Sequence, residues 1–288
     1  MNVQTKEGSS RMKLEFTKMQ GAGNDYVYFN CLDREFPEGI DPSALSRRLS
    51  DRHFGIGGDG IALIMPSATC DFRMRLFNAD GSEAPMCGNA SRCIGRFVYD
   101  RGYTDKTEFT LETMSGVKHI FINRSENGDV SVGVDIGRAS FEPADVPAVL
   151  PCSADEFEVD GDKAVVVSVG TAHCVIFSEE IDGYPLESVA TGLVSRGLFP
   201  DGVNTEIVRV EKDGLYARVF ERGSGETLAC GTGASASVAA AVRLGFFPHG
   251  KKIPVKMPGG TITVTVTKDF TVLMEGPTAV VFEGTVDV

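Results

Sequence analysis

Apolar residues in this chain come mostly in short runs, several alternating with polar ones, and that period of two marks β-strands. Such runs lie at 72–77, 130–136, 165–169, 174–177 and 215–220. The clearest alternation is at 261–267, where Ile262, Val264 and Val266 fall on one face and threonines on the other. KLEFTKM, directly after Met12, reads as another strand start. Helical signals are fewer. Asp41 followed by Pro42 offers an N-cap and a proline at the first helical position ahead of LSRRLSDR. A second helix is predicted from Asn89 to Tyr99, with Cys93 over Phe97 and Ile94 over Val98, stopping near Gly102. A third is predicted from Thr232 to Leu244, ending at Gly245. Its faces are nearly all Ala, Ser and Val, so it should be buried all round. Residues 1–11 are polar and unpatterned and read as a tag or loose extension. Pro143, Pro147 and Pro151 mark the stretch 142–153 as the connection between two halves. The pattern is that of an α+β chain.

Two of these elements repeat. Residues 74–91 read MRLFNADGSEAPMCGNAS and residues 217–234 read ARVFERGSGETLACGTGA, an offset of 143 positions. At that offset Arg75 meets Arg218, Phe77 meets Phe220, Glu83 meets Glu226, Cys87 meets Cys230 and Gly88 meets Gly231, with no gap. This argues for an internal duplication giving two pseudosymmetric domains, each with strands wrapped around a central helix. It also places two thiols at the heads of two helices, across a cleft between the halves. Free cysteines are often plain core residues, so the neighbours of each thiol decide its role.

Composition narrows the function. At 288 residues, 42% hydrophobic and 24% charged, the chain is long and apolar enough for two packed domains. Its net charge of −12 argues against a nucleic-acid surface. No apolar run approaches the ~20 residues of a membrane span. MNVQTKEGSSRMKLEF lacks an apolar signal core, so a cytoplasmic location is expected. Seven cysteines at irregular spacing, four histidines and no C-x-x-C support neither a disulfide framework nor a metal site. Two glycine motifs mislead. Gly-Ile-Gly-Gly-Asp-Gly at 55–60 matches a dinucleotide pattern but lies after a helix and before a strand, the reverse of what that site needs. Gly245 to Lys251 resembles a phosphate loop, but Lys252 replaces the Ser or Thr that would hold magnesium.

The surroundings of the thiols suggest chemistry. Unsatisfied N–H groups and the positive dipole end at a helix start should lower a thiol pKa below about 8.5 and form an anion site. Glycine after each cysteine lets a ligand approach the backbone, and Asn89 or Thr232 adds a donor. An α-carboxylate bound there would sit beside both thiols. The copies differ at Asn78, which becomes Glu221, and Ala79, which becomes Arg222. The glycine turn at 223–225 should bring Glu221 back toward Cys230 as a proton acceptor, leaving Arg222 to pair with a carboxylate.

The segments MQGAGNDY (19–26), FNADGSEAPMCGNASRC (77–93), GTAHCVIF (170–177), GVNTEIV (202–208), ERGSGETLACGTGA (221–234) and MPGG (257–260) resemble the diaminopimelate epimerase family, in order from Met12 to the C-terminus. That family is similar to proline racemase in using two cysteines and no cofactor. The resemblance implies two domains closing on an amino-acid substrate, with the last strand returning to the first domain. The expected boundaries are 12–140 plus 277–288 for one domain and 141–276 for the other. It implies a cytoplasmic homodimer on the route to lysine and peptidoglycan, with no metal, nucleic acid or membrane partner. Cys87 and Cys230 become the two bases, with His173 near the first and Glu221 near the second. Substrate contacts fall to Asn24, Asn78, Gly88, Asn89, Thr171, Asn204, Arg222, Gly231 and Thr232. The remaining cysteines, 31, 70, 93, 152 and 174, read as structural.

Two departures stand out. Thr171-Ala172 occupies the place of the family's Asn-Pro, whose asparagine helps hold the distal end of the substrate, and Gly88-Asn89-Ala90 replaces the commoner Gly-Asn-Gly. The expected activity is cofactor-independent epimerisation of LL-2,6-diaminopimelate to the meso form. A racemase of histidine or lysine is the nearest alternative, and a non-redox isomerase or binding protein on the same fold is the alternative of another class.

Overall fold

The computed structural model describes residues 12–124, 128, 130–142, 144–151 and 157–288. The stretch 1–11, Cys152 and part of the proline-rich connection lie outside them. Among the described residues the fold is mixed α/β, with four helices and one continuous hydrogen-bonded sheet.

The first half begins with β1 (Lys13–Gly21) antiparallel to β2 (Asn24–Asn30). After α1 (Pro42–Ser50), β3 (Gly60–Met65) lies parallel to β2 and antiparallel to β4 (Phe72–Asn78). A hairpin through β5 (Glu83–Ala84) leads into α2 (Gly88–Asp100). Beyond it β6 (Glu108–Thr113) runs parallel to β4, and β7 (Gly116–Arg124) and β8 (Val130–Arg138) continue antiparallel. The second half opens with the short β9 (Glu158–Val159) and an antiparallel pair, β10 (Asp162–Ser168) and β11 (Ala172–Phe177). After α3 (Leu186–Ser195), β12 (Asn204–Val210) lies parallel to β11 and antiparallel to β13 (Leu215–Glu221). The hairpin through β14 (Gly225–Thr227) leads into α4 (Gly231–Arg243). Then β15 (Lys252–Met257) runs parallel to β13, followed by antiparallel β16 (Gly260–Val266) and β17 (Thr271–Gly276). The pairings from β1 to β8 thus recur in the same order from β10 to β17. Strands β8 and β17 pair with each other, and β18 (Ala279–Asp287) pairs with β1.

Local chemistry explains the helix starts. Asp41 caps α1 by accepting from the N–H groups of Ser43 and Ala44. Helices α2 and α4 begin one residue earlier than predicted, because Cys87 and Cys230 are themselves the caps. Their backbones are extended, and each sulfur accepts from an N–H of the first turn, Ala90 or Gly233. Helix α3 is not among the predicted elements. Pro185 at its N-cap makes no side-chain cap bond, so the usual start signal is missing. Its Leu186, Val189, Ala190 and Leu193 still make one buried stripe at helical spacing.

Packing makes α2 and α4 the two axes of the protein. Both contribute to one large apolar cluster, α2 through Ala90, Ile94 and Val98 and α4 through Ala234, Val238 and Ala239. Helix α1 packs Leu45 and Leu49 with Val27 and Ile61, whereas α3 packs Leu186 and Leu193 with Val166 and Ile207. Ala236, Ala239, Ala240 and Ala241 of α4 are all fully buried, so the strands pass close to its backbone. There is no slack for a larger side chain. We therefore expect Ala236→Leu to destabilise the protein by about 1–3 kcal/mol, the usual range for an overpacked core. Urea unfolding followed by circular dichroism checks this, and an unchanged midpoint would show that the contact around α4 is loose.

Candidate active site

The N-termini of α2 and α4 open on one cleft of about 920 Å³. From the first half its walls carry Asn24 of β2, Asn78 of β4, and Cys87, Gly88 and Asn89 at the head of α2. From the second they carry Thr171 before β11, Asn204 of β12, Glu221 and Arg222 at the end of β13, and Cys230, Gly231 and Thr232 at the head of α4. Of the residues expected from sequence, His173 alone is absent from the walls.

Each thiol is fixed by its own helix and by one oxygen from elsewhere. The Cys87 sulfur takes the Ala90 N–H at 3.5 Å and faces Asn24 Oδ1 at 3.4 Å. The Cys230 sulfur takes the Gly233 N–H at 3.4 Å and faces Glu221 Oε2 at 3.3 Å and the Thr232 hydroxyl at 3.3 Å. The glycine turn brings Glu221 to that position, and Thr227 donates to its second oxygen at 2.5 Å. The matched Arg–Glu pairs are also alike: Arg75 with Glu83 at 2.8 and 3.0 Å, and Arg218 with Glu226 at 2.7 and 3.0 Å. Both are two-toothed contacts that clamp the hairpin leading to each cysteine. Beneath the two helix heads lies Met274 of β17. A methyl group added to Gly88 would come within 2.3 Å of its Cε, and one added to Gly231 within 2.8 Å of its sulfur. Glycine is therefore required after each cysteine for packing below as well as for access above.

The expected lowering of the thiol pKa values is not what the surroundings produce. Burial raises Cys87, and the N–H groups of Ala90 and Asn89 with the nearby Arg92 offset it only in part. Burial raises Cys230 further, assisted by the charges of Glu221 and Glu206. Desolvation of a thiolate outweighs the helix dipole at both sites. The resting site is thus biased toward two protonated thiols, one beside an amide oxygen and the other beside a carboxylate.

His173 is fully buried behind the wall. Its Nδ1 meets Glu206 Oε1 at 2.8 Å and its Nε2 meets the Thr171 hydroxyl at 2.9 Å, so both ring nitrogens are occupied and neither is bonded to Cys87. The reason is register: His173 pairs with Asn204 across the parallel β11–β12 ladder, which turns its ring toward Glu206 two residues further along β12. Thr171 is the member of this chain that reaches the cleft. Arg222 donates from its backbone N–H to Asn204 Oδ1 at 2.8 Å and from Nη1 to the Asp201 carbonyl at 2.6 Å, which holds its exposed guanidinium at the rim.

Several site residues escaped sequence reasoning. Asp59 and Arg52 line the cleft from the loop before β3, the one that had only been excluded as a nucleotide motif. Its last glycine, Gly60, is needed because a Cβ there would lie 2.0 Å from the Phe77 carbonyl oxygen. Glu206 was hidden within a strand run, where a fully buried carboxylate in NTEIVRV was the available signal. Arg92 is fully buried on α2, bonded through Nη1 to the Met274 sulfur at 3.3 Å, with no hydrogen-bond partner for Nε or Nη2 among the described residues. Among those residues no group of three or more His, Cys, Asp or Glu is arranged to hold a metal, and no helix is long and apolar enough to cross a membrane.

The fold is shared with solved proteins of low sequence identity. A phenazine biosynthesis protein of the PhzF family from Bacillus anthracis superposes with a TM-score of 0.71 at 18% identity, covering 96% of this chain and 100% of the other. A hydroxyproline epimerase from Agrobacterium vitis does so with a TM-score of 0.67 at 13% identity, covering 97% and 94%. These likenesses define the fold class, that of the proline racemase-like and PhzF-like proteins. The sequence defines the family within it. The pattern described as diaminopimelate epimerase matches residues 16–142 and 165–281. Proteins named diaminopimelate epimerase from Acetivibrio thermocellus and Methanococcus maripaludis are 43% and 41% identical, covering 95% and 96% of this chain and 99% and 100% of theirs. The chain belongs to the diaminopimelate epimerase family and is an isomerase.

Burial of the thiols has a consequence for stability that needs no substrate. Cys31 is raised to about 11 and Cys93 to about 12 by burial, from an ordinary value of 9.0, and Cys87 and Cys230 are raised as well. Above 9 the unfolded chain sheds these protons while the folded chain keeps them, so unfolding becomes more favourable as pH rises. Stability is fully expressed below the ordinary thiol value and is lost through the window from 9 to about 12. Thermal melts at pH 7.5 to 10.5 should show a falling midpoint, with a shallower fall for Cys31→Ala. A midpoint independent of pH there would show that the thiols titrate alike in both states.

Proposed function

We propose that the chain interconverts LL- and meso-2,6-diaminopimelate without a cofactor, using Cys87 and Cys230 on opposite faces of the reacting α-carbon. What carries this reading is that two cysteines cap two helices on the walls of one cleft, each beside its own oxygen partner. A binding protein needs neither thiol. In the forward step one sulfur takes the α-proton, the C–H bond breaks and an S–H bond forms. The electron pair left behind spreads into the α-carboxylate. The opposite S–H then gives its proton to the other face. Starting from two protonated thiols, Glu221 takes the proton of Cys230 and supplies the thiolate. The pair titrates together, so its pKa values belong to the site.

The helix heads hold the charge that develops. Backbone N–H groups around Gly88–Asn89 and Gly231–Thr232 receive the carboxylate where two positive dipole ends converge. The buried Asn89 Oδ1, which has no partner within the described residues, accepts from the substrate ammonium. The distal amino-carboxylate falls to Arg222, Asn204 and Asn78, with Asn24 on the Cys87 side. Thr171 stands where the family has asparagine. Its hydroxyl, oriented by His173, keeps a polar contact at that wall, and this makes His173 a positioning residue.

The finer organisation belongs to the same reading. The halves 12–140 plus 277–288 and 141–276 act as two pseudosymmetric domains that close on the substrate, a view supported by the recurring strand pairings and the twin Arg–Glu clamps. The protein works as a homodimer in the cytoplasm. The dimer is supported by β18, an edge strand that pairs only with β1 among the described residues and leaves Val280, Val281 and Phe282 about half exposed. Such an edge invites pairing with a second copy.

The thiol assignment is tested by Cys87→Ala and Cys230→Ala, each assayed by chiral chromatography and by α-deuterium uptake in heavy water. Each should lose at least the ~10²-fold typical of an acid–base group, with the fold intact. Residual epimerisation above about a hundredth of the parent rate would overturn the two-base mechanism. Running the parent enzyme on diaminopimelate, lysine and histidine separates the family activity from the rival racemase, which predicts that a mono-carboxylate matches diaminopimelate.

For the dimer, Phe282→Glu should move the protein to monomer mass in sedimentation equilibrium. Retention of the parent mass would place the contact elsewhere.

A further inference from the structure

Asn24 is not free to choose how it faces Cys87. Its Nδ2 donates to Asp59 Oδ2 at 2.6 Å, and its Oδ1 faces the Cys87 sulfur at 3.4 Å. Turning the amide over would set its oxygen against the Asp59 carboxylate, two acceptors with no proton between them. Asp59 itself is immobilised. It accepts the Asp25 N–H at 2.9 Å, Arg52 reaches its other oxygen at 3.0 Å, and its own N–H donates to the Asp25 carbonyl at 2.7 Å. Arg52 also grips Asp25 at 2.7 Å, and Asp25 pairs with Lys18, nine-tenths buried, at 2.6 Å. A carboxylate can only accept, so this anchored network fixes one orientation of the Asn24 amide.

We propose that Asp59 is a positioning residue that makes Asn24 an obligatory hydrogen-bond acceptor toward Cys87 and so keeps Cys87 as the proton-donating thiol of the resting pair. An amide oxygen accepts from S–H and repels a thiolate. Cys230 faces Glu221, which can take its proton, whereas Cys87 faces an oxygen with no basicity to offer. Both thiols rest protonated, Cys230 the more tightly, and the asymmetry lies in their partners: only Cys230 touches a group able to take its proton, so Cys87 is left to donate. The other groups acting on Cys87 are Arg92 and Cys93 on its own helix, Tyr26 and Tyr28 on β2, and Glu221 from β13. None of these side chains is itself altered when Asp59 is replaced, but Tyr26 also feels the Asp59 charge, so the tether has to be separated from that charge. The inference rests on the two-thiol reading above.

Asp59→Asn is the informative change. Asparagine can donate or accept, which releases the Asn24 amide to turn its NH₂ toward a thiolate. The measurement is the rate of iodoacetamide alkylation at Cys87 against pH, read by peptide mass and needing no substrate. In Asp59→Asn the half-maximal pH for Cys87 should fall by about one unit, with Cys230 unmoved, and kcat should drop more than KM rises. Removing the Asp59 charge would also favour a thiolate, so the same change is made in an Asn24→Ala background, where only that direct effect persists. The shift there should be less than half as large. Equal shifts in both backgrounds, or none in the parent, would overturn the proposal. Failure of the unmodified enzyme to epimerise diaminopimelate would remove the functional reading and leave the alkylation result standing.

Discussion

Everything in this protein turns on one constraint: a cysteine must cap each of two helices whose heads meet beneath a single cleft. A cap residue is extended, so the chain has to arrive from a strand, and in both halves it does so through a hairpin clamped by an Arg–Glu pair. The residue after the cap must be glycine, because Met274 occupies the space a side chain would need on both helices. The helix body must be apolar, and in α4 small, because strands surround it. Sheet order, hairpin length and helix composition thus serve the placement of two sulfur atoms.

That placement sets two electrostatic effects against each other. Helix heads stabilise anions, which favours thiolates and carboxylates alike. Deep burial disfavours an isolated thiolate, and here burial prevails at both sulfurs. The same N–H groups remain effective toward a substrate carboxylate, which brings its charge with it and needs no proton removed. A site whose thiols are held protonated by burial spends little time as a reactive thiolate. The charged residues nearby divide unevenly, with carboxylates at Cys230 and an amide held by Asp59 at Cys87, so the two thiols share a helix-cap geometry and differ in their neighbours.

How much of this the sequence disclosed follows the reach of each interaction. The repeated Cys-Gly blocks, the capped α1 and the alternating β16 are local signals, and each stands in the fold where its pattern indicated. The lines of the cleft were legible too, since twelve of the expected residues lie on its walls. What was lost is non-local. Asp59 meets Asn24 across 35 residues, and His173 meets Glu206 across 33. The thiol pKa values depend on desolvation by the whole core, and α3 lacks a cap to announce it.

The place of Thr171 shows how such a non-local contact can offset a local change. A threonine has a shorter reach than asparagine and only one polar atom to present. In isolation that hydroxyl would rotate and lose part of its directing power. Here His173 Nε2 engages it, and the Glu206 carboxylate fixes the imidazole from the other side. With Nδ1 donating to Glu206, Nε2 accepts the threonine proton, and the Thr171 oxygen turns its lone pairs to the cleft. A protonated imidazole would reverse that polarity and offer a donor instead. The Thr171 hydroxyl at the cleft wall is therefore a directed polar group, oriented by a fully buried histidine.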